Sequence, residues 1–247
     1  MNLVITMIIT KDLKGIVFNI FNYKENDLIV DVLSYQYGFM QLYVRGGQKT
    51  TSKSFFIFKI FNFITFDVSK LNLEELSIYK SGSVDRIFDY TCLNYEQMNL
   101  VMFMSELLIK IKHQKDINYK KYYEFLEEII VDISKKKNSY FLTNYFIYNT
   151  LELIGCAPNL ESCYNCAKTN NIVAFDLKNS GFICKECFDN NSKYLMDKDI
   201  LNYLYKLSNG NEITNNKKSY DKYVFDLLTD LLYENAGVYL TSVKYIY

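Results

Sequence analysis

The 247-residue sequence predicts an α+β chain: a small closed barrel of about five strands, followed by an all-helical domain that carries a four-cysteine zinc knuckle. Three observations predict it. From Lys14 to about Val84 the apolar residues recur with a period of two, and beyond Val84 with a period of about 3.6. Cys163-Tyr164-Asn165-Cys166 is followed, after seventeen residues, by Cys184-Lys185-Glu186-Cys187. The change of period divides the chain into residues 1–82 and residues 83–247, with the cysteine module at 160–190.

Met1 to Ile9 is mostly apolar, but it has no basic leader, no small-residue cleavage site and far fewer than the 18 residues of a membrane span. A strand with a short leader is expected there, with Met7 as a second candidate start, in a cytoplasmic protein. Ile16, Phe18 and Ile20 then alternate with Val17, Asn19 and Phe21, and Leu28 to Leu33 is apolar on both faces. Met40, Leu42 and Val44 point one way while Gln41, Tyr43 and Arg45 point the other. Turn signals separate these runs at Asn22 to Asp27, at Tyr37-Gly38 and at Arg45-Gly46-Gly47. Two longer runs, Phe55 to Val68 and Leu73 to Ser81, complete about five strands. That number fits a small barrel of the oligonucleotide/oligosaccharide-binding (OB) type or an SH3-like one. The phenylalanines from Phe55 to Phe66 are expected in the barrel core, since burial is the usual fate of such side chains.

Helical spacing begins with Met98, Val101, Met102, Ser105, Leu108, Ile109 and Lys112, and continues with Tyr122, Leu126, Ile129, Ile130 and Ile133. A third helix is expected from Ser139 as N-cap through Leu142, Phe146 and Leu153 to Gly155, with Pro158 just beyond. After the cysteine module come helices through Ile200, Leu201, Leu204 and Leu207 and, from a cap at Ser219, through Tyr223, Leu227, Leu228, Leu231 and Leu232. Asn209-Gly210-Asn211 and Asn215 to Lys218 mark the loop between them.

Cys163, Cys166, Cys184 and Cys187 have the spacing of a structural Zn2+ site. Each two-residue spacer lets both sulfurs of a knuckle reach one ion about 2.3 Å away, and four thiolates leave no open position for a catalytic water. Asn179-Ser180-Gly181 supplies a turn before the second knuckle. Disulfides suit an oxidising compartment, for which six cysteines in a chain without a secretory signal give no support, and a redox CxxC occurs once beside a βαβ unit. Cys92 and Cys156 fall outside the pattern and are expected as buried apolar filler.

Composition excludes more than it selects. Hydrophobic residues make up 49% and charged ones 23%, as in a globular protein, and 28 Lys+Arg balance 28 Asp+Glu, so any anion-binding surface has to be local. The 23 tyrosines, single proline and absence of tryptophan look like the product of AT-rich coding, which lowers the weight of any Tyr or Lys count. Lysine clusters at Lys110, Lys112 and Lys115, at Lys120-Lys121, at Lys135-Lys136-Lys137 and at Lys217-Lys218 are expected at helix ends on macrodipole grounds alone. His113 is the only histidine, and neither a GxxxxGK[ST] loop, a GxGxxG fingerprint nor an HxE ahead of a PCxxC is present, so the residues describe a binding module rather than an enzyme.

Lys14-Gly15-Ile16-Val17, Tyr23-Lys24-Glu25-Asn26-Asp27, Tyr37-Gly38, Val44-Arg45-Gly46-Gly47 and Ser52-Lys53 resemble, in order and spacing, the N-terminal domain of the RecO family of bacterial recombination mediators. The resemblance continues through Leu153-Ile154-Gly155-Cys156-Ala157-Pro158-Asn159-Leu160, the two knuckles with Gly181 before the second, and Ser242-Val243-Lys244. It implies an OB-fold DNA-binding domain, a helical domain with a four-cysteine zinc site, and cytoplasmic, nucleoid-associated work in DNA repair and recombination without nucleotide hydrolysis. The implied activities are binding of single- and double-stranded DNA, annealing of complementary strands coated with single-stranded-DNA-binding protein (SSB), and help for RecA loading together with RecR. On this reading Lys14, Lys24, Arg45, Lys49 and Lys53 would face phosphates and Tyr43 would stack on a base. Lys110, Lys112 and Lys115 beside Leu108 and Ile111 would receive the acidic, aromatic-ended SSB tail. The rival reading is a zinc-ribbon adaptor that binds partners without annealing strands.

Overall fold

Period-two burial closes into a ring in the computed structural model, which describes residues 10–114, 117–135, 137–189, 195–210 and 217–247. The expectations for Met1 to Ile9, Lys115, Lys136, Asn211 and Asn215 lie outside those residues. Strands β1 (Thr10–Tyr23), β2 (Asp27–Ser34), β3 (Gly38–Val44), β4 (Phe63–Lys70) and β5 (Leu76–Arg86) form a closed barrel in the order β1-β2-β3-β5-β4. All neighbours are antiparallel except β3 and β5, which run parallel from Gln41 opposite Leu76 to Tyr43 opposite Ile78. This arrangement is consistent with the OB fold. Val17, Val30, Val32, Leu42, Ile64 and Val68 fill the interior. Ile16 and Phe18, on the other face of β1, are as buried as Val17.

The long run from Phe55 to Val68 is not one strand. Ser52 accepts from the Ser54 N–H and caps a short helix, α1 (Lys53–Ile57). The chain then turns at Phe61, whose φ of 61° is held by its N–H bonding to the Val17 carbonyl at 2.6 Å. Buried Asn62 locks the turn, donating to the Ile57 carbonyl at 3.0 Å and accepting from the Phe88 N–H at 3.0 Å. Phe58, Phe61, Phe63 and Phe66 are buried as expected, whereas Phe56 is 65% exposed. β5 starts later than Leu73 because the Asn72 side chain accepts from the N–H groups of Glu74 and Glu75 and holds a turn there.

Helices α2 (Tyr95–Ile111) and α3 (Tyr119–Ser134) pack with the barrel, and the chain falls into two compact units, residues 1–136 and 137–247. A capping box joins Asn94 and Gln97 at the start of α2, and Gln97 also donates to the Ile133 carbonyl at 2.8 Å, fastening α2 to α3. Ser105 of α2 donates to the Phe18 carbonyl at 2.5 Å, and Tyr119 of α3 lies over Gly38 in the β2–β3 turn. Tyr123 meets Tyr35 edge to face at 5.4 Å.

The second unit contains α4 (Ser139–Leu153), a three-stranded sheet of β6 (Asn159–Cys163), β7 (Ile172–Asp176) and β8 (Gly181–Cys184) in the order β6-β8-β7, and then α5 (Lys198–Ser208) and α6 (Lys218–Ala236). Asn138, one residue before the expected Ser139, caps α4. α6 begins at Lys218 with Lys217 at the cap position and no side-chain cap, two residues ahead of the expected cap Ser219. Its core is pinned by polar groups: Tyr203 donates to Asp221 at 2.8 Å, and Asn144 donates to the Tyr203 hydroxyl and the Asp221 carbonyl. Among the described residues no helix is long and apolar enough to cross a membrane.

Gly38 has a φ of +74°, and a Cβ there would stand 2.4 Å from the Tyr119 ring. Gly38→Ala is therefore expected to cost roughly 2–4 kcal/mol, the sum of left-handed strain and overpacking. Gly46→Ala, at φ +66° with its nearest neighbour 3.9 Å away, should cost only the backbone share of roughly 1–2 kcal/mol. Urea titration of the two variants measures the difference, and equal losses would show that the ring contact contributes nothing.

Candidate nucleic-acid interface and metal centre

Two loops meet at one end of the barrel because a carboxylate ties them. The β1–β2 turn places Lys24 at a φ of 51°, and Asp27 opens β2 directly after it. Asp27 Oδ1 accepts from the Gly46 N–H at 2.7 Å and Oδ2 from the Tyr43 hydroxyl at 2.5 Å. Gln48 adds its Nε2 to the Asp27 carbonyl at 2.7 Å and its N–H to the Asn26 carbonyl at 2.9 Å. The Tyr43 hydroxyl, then the Gly46 N–H, hold the Asp27 carboxyl below its usual range; burial opposes them, and Lys24 and Arg45 assist.

The corner so formed gathers Lys24, Arg45 and Lys49, all exposed. Lys24 Nζ lies 5.3 Å from the centre of the Tyr23 ring and 5.9 Å from that of Tyr43, and the two rings meet edge to face at 6.1 Å. Tyr43, the tyrosine expected to stack, has its hydroxyl committed to Asp27 and is half-buried, while Tyr23 is 41% exposed. Sequence reading passed over Tyr23. The only signal for it was its place next to Lys24 at the end of an alternating run.

Lys53 is exposed at the first residue of α1. Lys14 stands elsewhere: it is nine residues before the end of β1, up to roughly 30 Å of strand rise. It lines a cleft of about 590 Å³ with Tyr35, Asp85, Glu124 and Glu127. Arg86 sits 3.7 Å from the centre of the Phe63 ring there and pairs with Glu127 at 2.8 Å. Three carboxylates in that cleft make it a mixed field and not a phosphate track.

Of the grouping expected on α2, the described members Lys110 and Lys112 do not rim a groove together. Lys112 donates to the fully buried Asp31 at 3.0 Å, with its own side chain 11% exposed, and Leu108 and Ile111 are buried in the core. Lys110 is exposed. The helix turns its apolar stripe and Lys112 to the barrel, which the spacing alone does not distinguish from an open groove.

The cysteine module brings its four thiols together: the sulfurs of Cys163, Cys166, Cys184 and Cys187 all lie within 4.8 Å of one another, and those of Cys166 and Cys184 are 3.6 Å apart. Sulfurs bonded at about 2.3 Å to a tetrahedral ion would be about 3.8 Å apart, so the donor set fits zinc. Burial pushes the Cys163 thiol up, but the N–H groups of Cys184, Cys166 and Asn165, with the Cys166 side chain, bring it down to about 6. Cys187 is pushed up to about 12, first by its bond with Cys166 and then by burial. One thiol of the set ionises readily while its neighbours Cys166 and Cys187 resist ionisation, and a cation bound among them would favour the thiolate form of all four. The turn expected at Asn179-Ser180-Gly181 is present: Asp176 accepts from the N–H groups of Lys178 and Asn179, and Ser180 takes a φ of 48°. All six cysteines are unbridged. Cys92 is exposed, its thiol donating to Asp89 at 3.3 Å, and Cys156 is half-buried, so neither is the buried filler expected.

Comparison with known families decides the lineage. The model described as Recombination protein O N terminal matches residues 7–88, and the one described as Recombination protein O C terminal matches residues 92–232. The chain belongs to the recombination protein O family. Proteins named DNA repair protein RecO are similar to it along nearly its whole length. That of Mesoplasma florum is 26% identical over 92% of this chain and 86% of its own, and that of Mycoplasma capricolum 26% over 94% and 95%. That of Listeria welshimeri is 25% identical over 94% and 92%. For this RecO family member the N-terminal match spans the whole barrel with its loop corner, and the C-terminal match spans the cysteine module.

Asp27→Ala should release both loops, with hydrogen exchange at the Gly46 amide faster by at least about tenfold. Asp27→Asn, which keeps an acceptor for that N–H, should lie between the variant and the parent. Because the carboxyl is held below its usual range, the bonds persist at neutral pH and are lost only as pH falls through that lowered value. Unchanged Gly46 exchange in Asp27→Ala would mean that the carboxylate does not set the loops.

Proposed function

We propose that this RecO family member is a DNA repair and recombination mediator that binds single- and double-stranded DNA, anneals SSB-coated complementary strands, and assists RecA loading with RecR. The single observation that carries the DNA-binding part is the barrel corner, where Lys24 lies beside two tyrosine rings and Arg45 and Lys49 are exposed on the loop that Asp27 braces against it. Phosphates attract exposed cations and release condensed counterions, while a tyrosine face accepts any base, so binding there is indifferent to sequence. Lys53 flanks this corner in the chain, and Lys14 is assigned a lesser part because carboxylates share its cleft.

Annealing in this reading involves no bond made or broken. Two strands held on one surface meet by a local search, and the cations lower their mutual repulsion. Family membership and the relatives' shared name, DNA repair protein RecO, support the repair role, and RecR, the SSB tail and RecA are the partners this reading assigns to it.

Zn2+ on Cys163, Cys166, Cys184 and Cys187 would be structural, closing the loop between α4 and α5. When bound, the ion would supply folding free energy rather than chemistry, about 10–16 kcal/mol for structural sites of this kind.

Affinity for a labelled single strand, measured between about 50 and 200 mM salt, should fall steeply. Changing Lys24, Arg45 and Lys49 together to Ala should weaken binding and make the log–log salt slope shallower by about 2, at about 0.7 per lost phosphate contact. Lys14→Ala should change the slope little. A flat salt response of the parent would remove the electrostatic reading, and annealing absent at every salt concentration would favour the adaptor.

Metal analysis of the reduced protein should find close to one zinc per chain. Cys163→Ser should lose it and lower the unfolding midpoint of the second unit while leaving strand affinity at the barrel within about twofold. A metal-free parent would defeat the assignment.

A further inference from the structure

Beyond the barrel and the cysteines, one surface cleft combines aromatic faces with unpaired negative charge. α6 ends where Gly237, at a φ of 63°, turns the chain back, with its N–H on the Tyr233 carbonyl and that of Val238 on the Leu232 carbonyl, both at 3.0 Å. The reversal brings Tyr239 against Tyr233, ring centres 4.7 Å apart and planes at 80°. Neither ring is absorbed into the core: Tyr233 is 49% exposed and Tyr239 68%. They border a cleft of about 180 Å³ whose apolar side is Val238, Leu240 and Val243 and whose polar side is Thr229 and Asp230.

Asp230 sits between like charges. Partial burial, then Asp226 and Glu234, push its carboxyl up. The nearest lysine on the same helix is already used, since Lys222 Nζ binds both oxygens of Asp226 at 2.8 and 2.9 Å. Lys244, in the segment after the turn, lies over Tyr245 at 4.9 Å. Among the described residues neither Asp230 nor Glu234 has an ion-pair partner.

We propose that the Tyr233–Tyr239 cleft receives the guanidinium of an arginine from a basic segment of a partner protein, with Asp230 as its counter-ion. The chemistry favours arginine over lysine. A guanidinium is planar and weakly hydrated, so it can lie on a tyrosine face while its fork of N–H donors reaches a carboxylate, whereas an ammonium gives up a tightly held water shell to do the same. The cleft holds one side-chain head and is too small for a folded element, so the partner would present an extended or loop segment. Charge complementarity selects a basic partner and disfavours nucleic acid, whose phosphates Asp230 and Glu234 would repel.

The test uses the full chain, labelled for NMR at tyrosine, titrated with a short glycine–serine peptide containing one arginine and with the same peptide carrying citrulline or lysine instead. The arginine peptide is expected to shift the ring signals of Tyr233 and Tyr239 saturably, with lysine weaker and citrulline inert. Asp230→Asn and Tyr239→Ala should each weaken the arginine peptide about fivefold, the effect of one exposed cation–π or charge-assisted contact, and Tyr239→Phe should retain most of the affinity. Both positions are exposed, and the helical CD of each variant checks that the fold is kept. Equal binding of citrulline and arginine, no saturable shift at either ring, or an arginine titration unmoved by Asp230→Asn and Tyr239→Ala would each overturn the proposal.

Discussion

A buried carboxylate organises the first unit. Asp31 is fully enclosed, yet it carries its complete set of donors: Asn19 Nδ2 at 2.9 Å from β1, Gln41 Nε2 at 2.7 Å from β3 and Lys112 Nζ at 3.0 Å from the end of α2. Taking such a charge out of water costs several kcal/mol, recovered only where partners meet it in good geometry, and removing one partner strands the rest. The arrangement therefore demands a particular β1–β2–β3 register and a particular seating of α2 on the barrel. Ser105 reinforces that seating through the Phe18 carbonyl, and the aromatic residues of α3 extend it over the β2–β3 turn. The helices α2 and α3 are in this sense part of the barrel domain, completing its outer wall where Ile16 and Phe18 would otherwise face water.

What the sequence made legible follows from how local each signal is. Strand alternation, the turns at Tyr37-Gly38 and Gly46-Gly47, the helical stripes and the paired knuckles are written within a few residues, and each is found close to its expected place. Phe55 to Val68 was misread as one strand because its apolar content is continuous. The break comes from Ser52 as a cap and from Asn62, whose partners Ile57 and Phe88 lie 5 and 26 residues away. Period reports local conformation and not what a helix packs against, so it gives no sign that α2 and α3 join the barrel in one compact unit. Lys112 shows this most sharply: its destination is an aspartate 81 residues distant.

The candidate surface was legible in kind and not in membership. Lys24, Arg45 and Lys49 come together because loops separated by a strand pair are tied through Asp27, an acidic residue that a search for cations passes over. Lys14 shares a strand with Tyr23 yet belongs to another cleft, since 14 residues of β1 carry its two ends to different parts of the barrel. Tyr43 does not hold the presented position that strand parity suggested for it. Its hydroxyl anchors the loop, which makes that ring a support, and the Tyr23 ring remains presented beside Lys24.

Zero net charge is compatible with an anion-binding surface once the charges are taken locally. At physiological salt the screening length is about 8 Å, so a strand at the barrel corner responds to the few charges around it and not to the total of 28 against 28. Acids near the barrel are largely engaged: Asp27 by Tyr43 and Gly46, Asp31 by Lys112, and Asp67 by the Asp12 N–H and the Ser81 hydroxyl. In the second unit, by contrast, Asp230 and Glu234 on α6 have no ion-pair partner among the described residues and stand near exposed rings. Equal totals therefore leave room for local surfaces of either sign, and a ligand at one surface responds to the charges beside it and not to the sum over the chain.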